Sequence, residues 1–265
     1  MAEIRIDALT GHRAIVGDGQ DQARLLDPAA PVPPAVADPD LFWCGAARGA
    51  HELIELADGP VGSLVMLDDE ALGRAVERWR ERMRAHAGAA CRHLTVDEDG
   101  GVATAQLFAL EFVPAAIARE RERFGAYATR TMGGNLLADL VQNEVRLRER
   151  IVAIDREAVL MAPFGSRAPY QLLLAPRVPR MRFEDDGPTG AALLRDGLGR
   201  LRRVLGDDAE LSLWVRTAPS GAEHFCWRID VLVSAGHTPS GFELGTGVGV
   251  NPVAPELAAA RLREA

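Results

Sequence analysis

Residues 189–233 read TGAALLRDGLGRLRRVLGDDAELSLWVRTAPSGAEHFCWRIDVLV, and this stretch carries a helix pattern followed by two strand patterns. Leucines recur at helical spacing and Gly206 follows them as a stop signal; they are Leu194, Leu198, Leu201 and Leu205. The strand patterns are ELSLWVR at 210–216 and FCWRIDVLV at 225–233. Because YQLLLAP at 170–176 precedes the helix, the predicted order is strand, helix, strand, strand.

The first half of the chain has the same order about 120 residues earlier. HELIELA at 51–57 predicts a strand, and a helix begins after Asp68 and Asp69, which are N-cap candidates. The apolar residues of this helix are Leu72, Ala75, Val76, Trp79 and Met83. CRHLTV at 91–96 and VATAQLFALEFV at 102–113 predict the two further strands. Helices do not alternate with every strand, so we expect an α+β duplication on antiparallel sheet rather than a doubly wound parallel sheet.

The repeated order predicts two domains, an N-terminal half at 1–130 and a C-terminal half at 131–265. Gly133 and Gly134 precede a linking helix with apolar residues at 136, 137, 140, 141 and 145. Residues 17–48 are rich in Pro and Ala, and we expect an irregular surface segment there.

Composition excludes several classes of function. The formal net charge of −8 argues against nucleic acid as a partner. No lysine occurs in the sequence, which excludes a Schiff-base lysine and a Walker P-loop. The three cysteines are far apart and form no CxxC pair, so neither a disulfide framework nor a cysteine zinc site is expected. The chain shows no signal-peptide pattern and no membrane-length apolar run; a cytoplasmic location is the expectation.

Strand alternation predicts which residues share a face. In the second half Phe225, Trp227, Ile229, Val231 and Val233 are expected in the core, and the opposite face carries His224, Cys226, Arg228 and Asp230. In the first half Ala103, Ala105, Leu107 and Ala109 lie opposite Val102, Thr104 and Gln106. A polar face can be simple solvent exposure. Two such faces at matching points of a duplication favour a binding cleft.

Three motifs carry a resemblance to a known family. They are RIDALTGHRAIV at 5–16, APF…PYQLLLAP at 162–176 and GFELGTGVGVNP at 241–252. In this order and spacing they resemble the galactose-1-phosphate uridylyltransferase-like proteins of the histidine-triad superfamily, over nearly the whole chain. The resemblance implies two histidine-triad-like units, each an antiparallel sheet with flanking helices, that face each other across a pseudo-twofold axis.

The resemblance also implies a nucleophile that this chain does not have. The family's His-Pro-His-x-Gln motif, whose second histidine carries the nucleotidyl group, aligns with Val102–Gln106. Gln106 keeps the position that hydrogen-bonds the phosphate, and Thr104 stands at the nucleophile position. A threonine hydroxyl is a poor nucleophile without an adjacent base, so we expect the covalent mechanism to be lost.

Metal sites of the family are altered as well. At the zinc site the cysteine pair is absent, and Gly59 and Val102 align with the histidines. At the second metal site Glu120 matches the family's glutamate, whereas three other residues replace its histidines; they are Arg216, Cys226 and Arg228. Guanidinium groups repel cations. We therefore predict no metal and no cofactor, and instead an anion held by Arg228 with Arg216, or a structural ion pair of Arg228 with Asp230 or Glu120.

Further candidates keep two interpretations each. His224 and Cys226 are a catalytic thiolate–imidazole pair, or Cys226 is a small buried residue. Asp230 and Glu120 are the remaining acid–base candidates. The resemblance implies that GFELGTG contacts the sugar-phosphate, with Glu243 as a hydroxyl acceptor and Gly245 and Gly247 in an anion loop; otherwise it is a tight connection.

Taken together, the sequence predicts a uridylyltransferase-like protein that binds a nucleotide, a nucleotide-sugar or a sugar-phosphate in a cleft between its halves. Three classes stay open: a non-catalytic binding or regulatory protein, an enzyme repurposed in the same cleft, and a nucleotidyltransferase without a covalent intermediate. The expected partner is a small molecule rather than nucleic acid or a membrane, and the assembly to test is a homodimer.

Overall fold

An eight-stranded antiparallel sheet organises the part of the chain that the computed structural model describes, which is residues 3–6, 13–16, 44–46, 49–99, 101–185, 190–207, 209–234, 241, 245 and 251–265. The strands are β1 (Glu3–Ile6), β2 (Arg13–Val16), β3 (Cys44–Ala46), β4 (Gly49–Ile54), β5 (Cys91–Asp99), β6 (Val102–Leu110), β7 (Ile151–Ile154), β8 (Ala158–Met161), β9 (Leu172–Pro176), β10 (Glu210–Arg216) and β11 (Arg228–Ser234). The helices are α1 (Asp69–Ala85), α2 (Ala115–Arg130), α3 (Leu136–Leu147), α4 (Ala191–Leu205) and α5 (Pro255–Glu264), and a short 3-10 helix spans Leu64–Met66.

The strand order of the large sheet is β4-β6-β5-β10-β11-β9-β8-β7. Strands β5 and β10 pair antiparallel in its middle, with Asp97 opposite Ser212 and Leu94 opposite Val215. Outward from this junction the order repeats, β5-β6-β4 on one side and β10-β11-β9 on the other. The α+β duplication expected from the sequence is confirmed, with the two units side by side in one sheet. The boundary at residues 130 and 131 stays a prediction.

One face of the sheet carries the main core beneath α1 and α4. Alternate residues of the central strands point into it together with Trp79 of α1, which is fully buried. The strand residues include Leu94, Val96, Ala105, Leu107, Leu213, Val215, Ile229 and Val231. A smaller cluster joins α2 and α3 to the opposite face of the second unit through Phe124, Leu137, Val141 and Leu173. Helices on both sides therefore bury this second unit.

Local signals set most element ends as predicted. The Asp68 side chain accepts a hydrogen bond from the Ala71 N–H at 2.7 Å and begins α1. Gly206 ends α4 with a φ of 91°, which glycine adopts without the penalty of a Cβ atom. The linking helix is α3, which begins at the Asn135 cap.

Two expectations are corrected, and one helix was not predicted. The helix without a prediction is α2, which lies directly before the linking helix. Strand β11 begins at Arg228, so residues 225–227 precede it. Trp227 still lies in the main core with Ile229, whereas Phe225, expected there too, belongs to the smaller cluster. Residues 44–46 form β3, which pairs with β1, so the irregular segment predicted at 17–48 ends in a strand; residues 17–43 lie outside the described residues. No described helix is long and apolar enough to cross a membrane.

Candidate functional site

A cleft of about 930 Å³ lies on the sheet face that α2 and α3 cover. The loop at residues 163–171 closes one side, and the side chains of Trp214, Arg216, Arg228 and Asp230 on β10 and β11 contribute to the lining. Helix α2 contributes Glu120, which lies in the first half of the chain. Strand alternation explains this placement, because Val215, Ile229 and Val231 point into the core on the other face.

Four charged side chains form a network in the cleft. Arg228 donates through Nη1 to Glu120 Oε1 and through Nε to Asp230 Oδ2, the latter at 3.0 Å. Arg228 Nη2 also lies 3.3 Å from Glu120 Oε2. Arg216 is less well held, since its Nε is 3.6 Å from Glu120 Oε2, which is an ion-pair distance but too long for a hydrogen bond. Arg228 is thus the centre of a structural ion-pair network. This geometry agrees with the second interpretation from the sequence, in which Arg228 forms an ion pair with Asp230 or Glu120.

Pairing with carboxylates makes the two buried arginines electrostatically different. Burial alone would lower the pKa of Arg228, but the charges of Asp230 and Glu120 outweigh this effect and raise that pKa above its usual value. The pKa of Arg216 is lowered by burial, which the Glu120 charge only partly offsets and the Arg228 charge reinforces. Burial also raises the pKa of Asp230 against the opposing effect of Arg228 and Arg216. Two carboxylates compensate the positive charge of Arg228, whereas that of Arg216 is compensated only in part.

Arg216 therefore has unused binding capacity. Its Nε is buried and makes no hydrogen bond to any described residue, and 15% of its side chain is exposed. A guanidinium group presents five N–H donors in a planar fork that suits phosphate or carboxylate oxygens. Among the residues lining the cleft, five arginines outnumber three carboxylates; they are Arg119, Arg123, Arg167, Arg216 and Arg228 against Glu120, Glu122 and Asp230. The electrostatics suit an anion.

His224 and Cys226 are not brought together in the cleft. His224 is exposed, whereas Cys226 is fully buried in the apolar cluster that contains Phe124 and Phe225. Both precede β11, so the alternation that placed them beside Arg228 does not apply. Phe225 likewise belongs to this smaller cluster and not to the core that contains Trp227.

Thr104 and Gln106 lie on β6, two strands from β10, and outside the lining of the cleft. The register places Gln106 beside Thr95, Thr95 beside Trp214, and Trp214 beside Asp230. Three strand spacings separate Gln106 from Asp230, or roughly 14 Å. The Gln106 Oε1 accepts a hydrogen bond from His51 Nε2 at 3.0 Å. The predicted phosphate ligands therefore lie in two places on one sheet face, with Gln106 on β6 and with Arg216 and Arg228 in the cleft.

The predicted glycine-rich loop is described only in part. Glu243 and Gly247 lie outside the described residues, and Gly245 is exposed. Among the described residues, no group of three or more His, Cys, Asp or Glu side chains could hold a metal ion. The absence of a metal stays a prediction.

Sequence reasoning missed the apolar part of the cleft. Leu136, Leu137 and Leu140 of α3 line it together with Phe124 of α2, and helical periodicity assigned the α3 residues only to packing. Trp214 lines the floor and alternates with Arg216 on β10. That alternation was available in the sequence and could have identified Trp214.

No family model matches the chain. The galactose-1-phosphate uridylyltransferase of Cryptococcus neoformans is 31% identical over 176 residues, which cover 60% of this chain and 46% of that protein. The chain thus matches about half the length of this curated relative.

Solved structures extend the likeness to the fold. A uridylyltransferase mutant superimposes with a TM-score of 0.87 at 19% identity, covering 99% of this chain and 97% of that chain. An ADP-glucose phosphorylase from Arabidopsis thaliana with bound ADP-glucose gives a TM-score of 0.72 at 20% identity, with coverage of 82% and 74%. The resemblance expected from the sequence is confirmed: the chain is a relative of galactose-1-phosphate uridylyltransferases in sequence, and it has the uridylyltransferase fold.

Proposed function

We propose that this protein binds a phosphate-bearing small molecule, of the class of nucleotides, nucleotide-sugars or sugar-phosphates, with Arg216 as the main anion ligand. The observation that carries the proposal is the buried Arg216 Nε without a hydrogen-bond acceptor, in a cleft where arginines outnumber carboxylates. A phosphate oxygen would supply that acceptor. The names of the curated relative and the ADP-glucose phosphorylase support a ligand related to nucleotide-sugars.

We further propose that no covalent nucleotidyl intermediate forms. Thr104 stands where the resemblance places the nucleophile. The residue opposite Thr104 on β5 is Asp97, and this carboxylate already accepts a hydrogen bond from the Ser212 hydroxyl at 2.7 Å. Two of the open classes differ in what the cleft must supply. A binding protein needs only the anion site, whereas a repurposed enzyme needs a new acid or base, for which Asp230 and Glu120 line the cleft.

Thermal shift with UMP, UDP-glucose, glucose 1-phosphate and inorganic phosphate tests the binding. A ligand at one hundred times its Kd stabilises the folded protein by about 2.7 kcal/mol. Arg216→Met should abolish the shift, while Arg78→Met on α1, whose side chain is 36% exposed, should leave it unchanged. No shift with any of the four compounds, or an equal shift in Arg216→Met, would refute the proposal.

Intact mass spectrometry after incubation with UDP-glucose tests the second proposal, and the expected result is an unmodified chain. Elemental analysis of the same sample should find no stoichiometric zinc or iron. A uridylyl adduct would show that another residue acts as the nucleophile.

A further inference from the structure

Two residues that line the cleft have a buried side-chain nitrogen without a hydrogen bond to any described residue. One is Arg216 with its Nε, and the other is Trp214 with its indole Nε1. The charged groups beside them differ, because Arg228 pairs with Glu120 and Asp230. The remaining charged lining residues are exposed to water, which can satisfy their polar atoms; they are Arg119, Glu122, Arg123 and Arg167.

An unpaired indole N–H does not by itself indicate a ligand. Trp79 also has a buried Nε1 without a hydrogen bond to a described residue, yet Trp79 is fully buried in the main core. Trp214 differs in position, since it lines the cleft and shares a face of β10 with Arg216. A ligand that reaches Arg216 is therefore also within reach of Trp214.

The two nitrogens suit two different oxygens of one ligand. Trp214 and Arg216 are two positions apart on β10, so their Cα atoms are separated by roughly 7 Å. Side chains stand roughly perpendicular to a sheet, so the two donors are further apart than the oxygens of a single phosphate group. An indole N–H can only donate and needs an acceptor. A sugar oxygen or the oxygen of a second phosphate group supplies one, whereas a plain hydrocarbon does not.

We propose that Trp214 is a second ligand-binding residue of the cleft, and that its indole N–H donates to a ligand oxygen outside the phosphate group held by Arg216. The cleft then prefers phosphates that carry such an oxygen nearby, as sugar-phosphates and diphosphates do, over phosphates on a plain hydrocarbon. This inference rests on the proposed function of Arg216 as the anion ligand and narrows its ligand class. The cleft volume of about 930 Å³ is ordinary for a small molecule of this kind.

Isothermal titration of the full chain and of its Trp214→Phe variant tests the proposal, because phenylalanine keeps an aromatic ring and removes the N–H donor. The ligands are glucose 1-phosphate, pyrophosphate, cyclohexyl phosphate and inorganic phosphate. We expect Trp214→Phe to weaken glucose 1-phosphate, pyrophosphate or both about fivefold, as for one net hydrogen bond, and to change the other two affinities by less than about twofold. A loss with glucose 1-phosphate alone identifies a sugar oxygen as the acceptor, and a loss with pyrophosphate alone identifies a second phosphate. Equal changes for all four ligands, or no change for any, would overturn the proposal.

Proton–nitrogen correlation spectra of the unsubstituted protein give a second measurement that does not depend on the folding of a variant. The chain has four tryptophans, and one indole N–H signal should move downfield with glucose 1-phosphate or pyrophosphate but not with cyclohexyl phosphate. The same downfield shift with all three ligands, or none with any, contradicts the role of Trp214. If Arg216→Met leaves all binding intact, the proposed function fails and this inference fails with it. If Arg216→Met abolishes binding while Trp214→Phe changes nothing, this inference fails alone.

Discussion

Strands β6 and β11 hold equivalent places in the two units, yet their polar faces differ. On β6 the side chains Thr104 and Gln106 are uncharged, and Gln106 pairs with a histidine of the neighbouring strand. On β11 Arg228 and Asp230 are charged, and Glu120 of α2 packs over them. The same alternation pattern therefore produces a neutral hydrogen-bonded surface in one unit and a compensated charge network in the other.

The difference follows from what covers each face. Taking a charge out of water costs several kcal/mol unless a partner of opposite charge lies close by. Helix α2 covers the polar face of β11. Arg228 on that face is therefore stable only because the carboxylates of Glu120 and Asp230 lie beside it. The comparison predicts that the polar face of β11 depends on charge pairing for stability and that the polar face of β6 does not.

The largest expected effect is from Arg228→Met. Removing this side chain leaves Glu120 and Asp230 without their main partner, and breaking a buried pair costs about 3–5 kcal/mol. We expect about 3 kcal/mol, the low end, because Arg228 and Glu120 are 17% and 20% exposed. Urea unfolding at neutral pH measures the loss.

Arg216→Met is the matched control for Arg228. Arg216 makes only a 3.6 Å ion contact among the described residues, and its burial is unfavourable to its charge. A buried charge without good pairing is costly to keep, so its replacement by an apolar side chain should change the free energy of unfolding by less than about 1 kcal/mol. Similar losses in both variants would contradict the division into a structural and a ligand-binding arginine.

Acid should destabilise the folded protein through a buried histidine on β5. Burial, aided by the Arg216 charge, lowers the pKa of His93 on β5 from 6.5 to about 4. Between these values the unfolded chain binds the proton that the folded protein does not, so stability falls as the pH falls from 6.5 towards 4. The loss is up to about 3 kcal/mol at 1.36 kcal/mol per pK unit.

The His93→Gln variant should flatten this pH dependence of the unfolding free energy. His224→Gln replaces an exposed histidine and serves as the control. An unchanged slope in His93→Gln would mean that other groups cause the acid sensitivity.

The sequence predicted the fold well because local signals determined it. Helical spacing located α1, α3 and α4, and Asp68 and Gly206 marked helix ends by capping geometry. Alternation correctly placed Arg228 and Asp230 opposite Ile229 and Val231. These features need only neighbouring residues, so one sequence is sufficient to read them.

The site was less predictable because it depends on long-range packing. Glu120 meets Arg228 across 108 residues of sequence, and no spacing rule predicts which carboxylate α2 brings to the sheet. The start of β11 at Arg228 also moved Cys226 into an apolar cluster. A strand boundary shifted by three residues was enough to undo the alternation argument for His224 and Cys226.

The smallest expected effect is the coupling energy between the polar faces of β6 and β11. This energy shows whether the two faces hold one ligand or act separately. Gln106→Ala removes the hydrogen bond with His51 and should cost about 1 kcal/mol of stability, the usual value for a net hydrogen bond. Gln106 is roughly 14 Å from Asp230 along the sheet, so its loss should not alter anion affinity in the cleft. Sites more than about 10 Å apart add independently to within about 0.5 kcal/mol, and a double-mutant cycle with Arg216→Lys, which keeps a cation in the cleft, measures this for UDP-glucose. A coupling energy above about 1 kcal/mol in binding would mean that one extended ligand contacts Gln106 and Arg216 together, and the nucleotide-sugar would then span both units of the sheet.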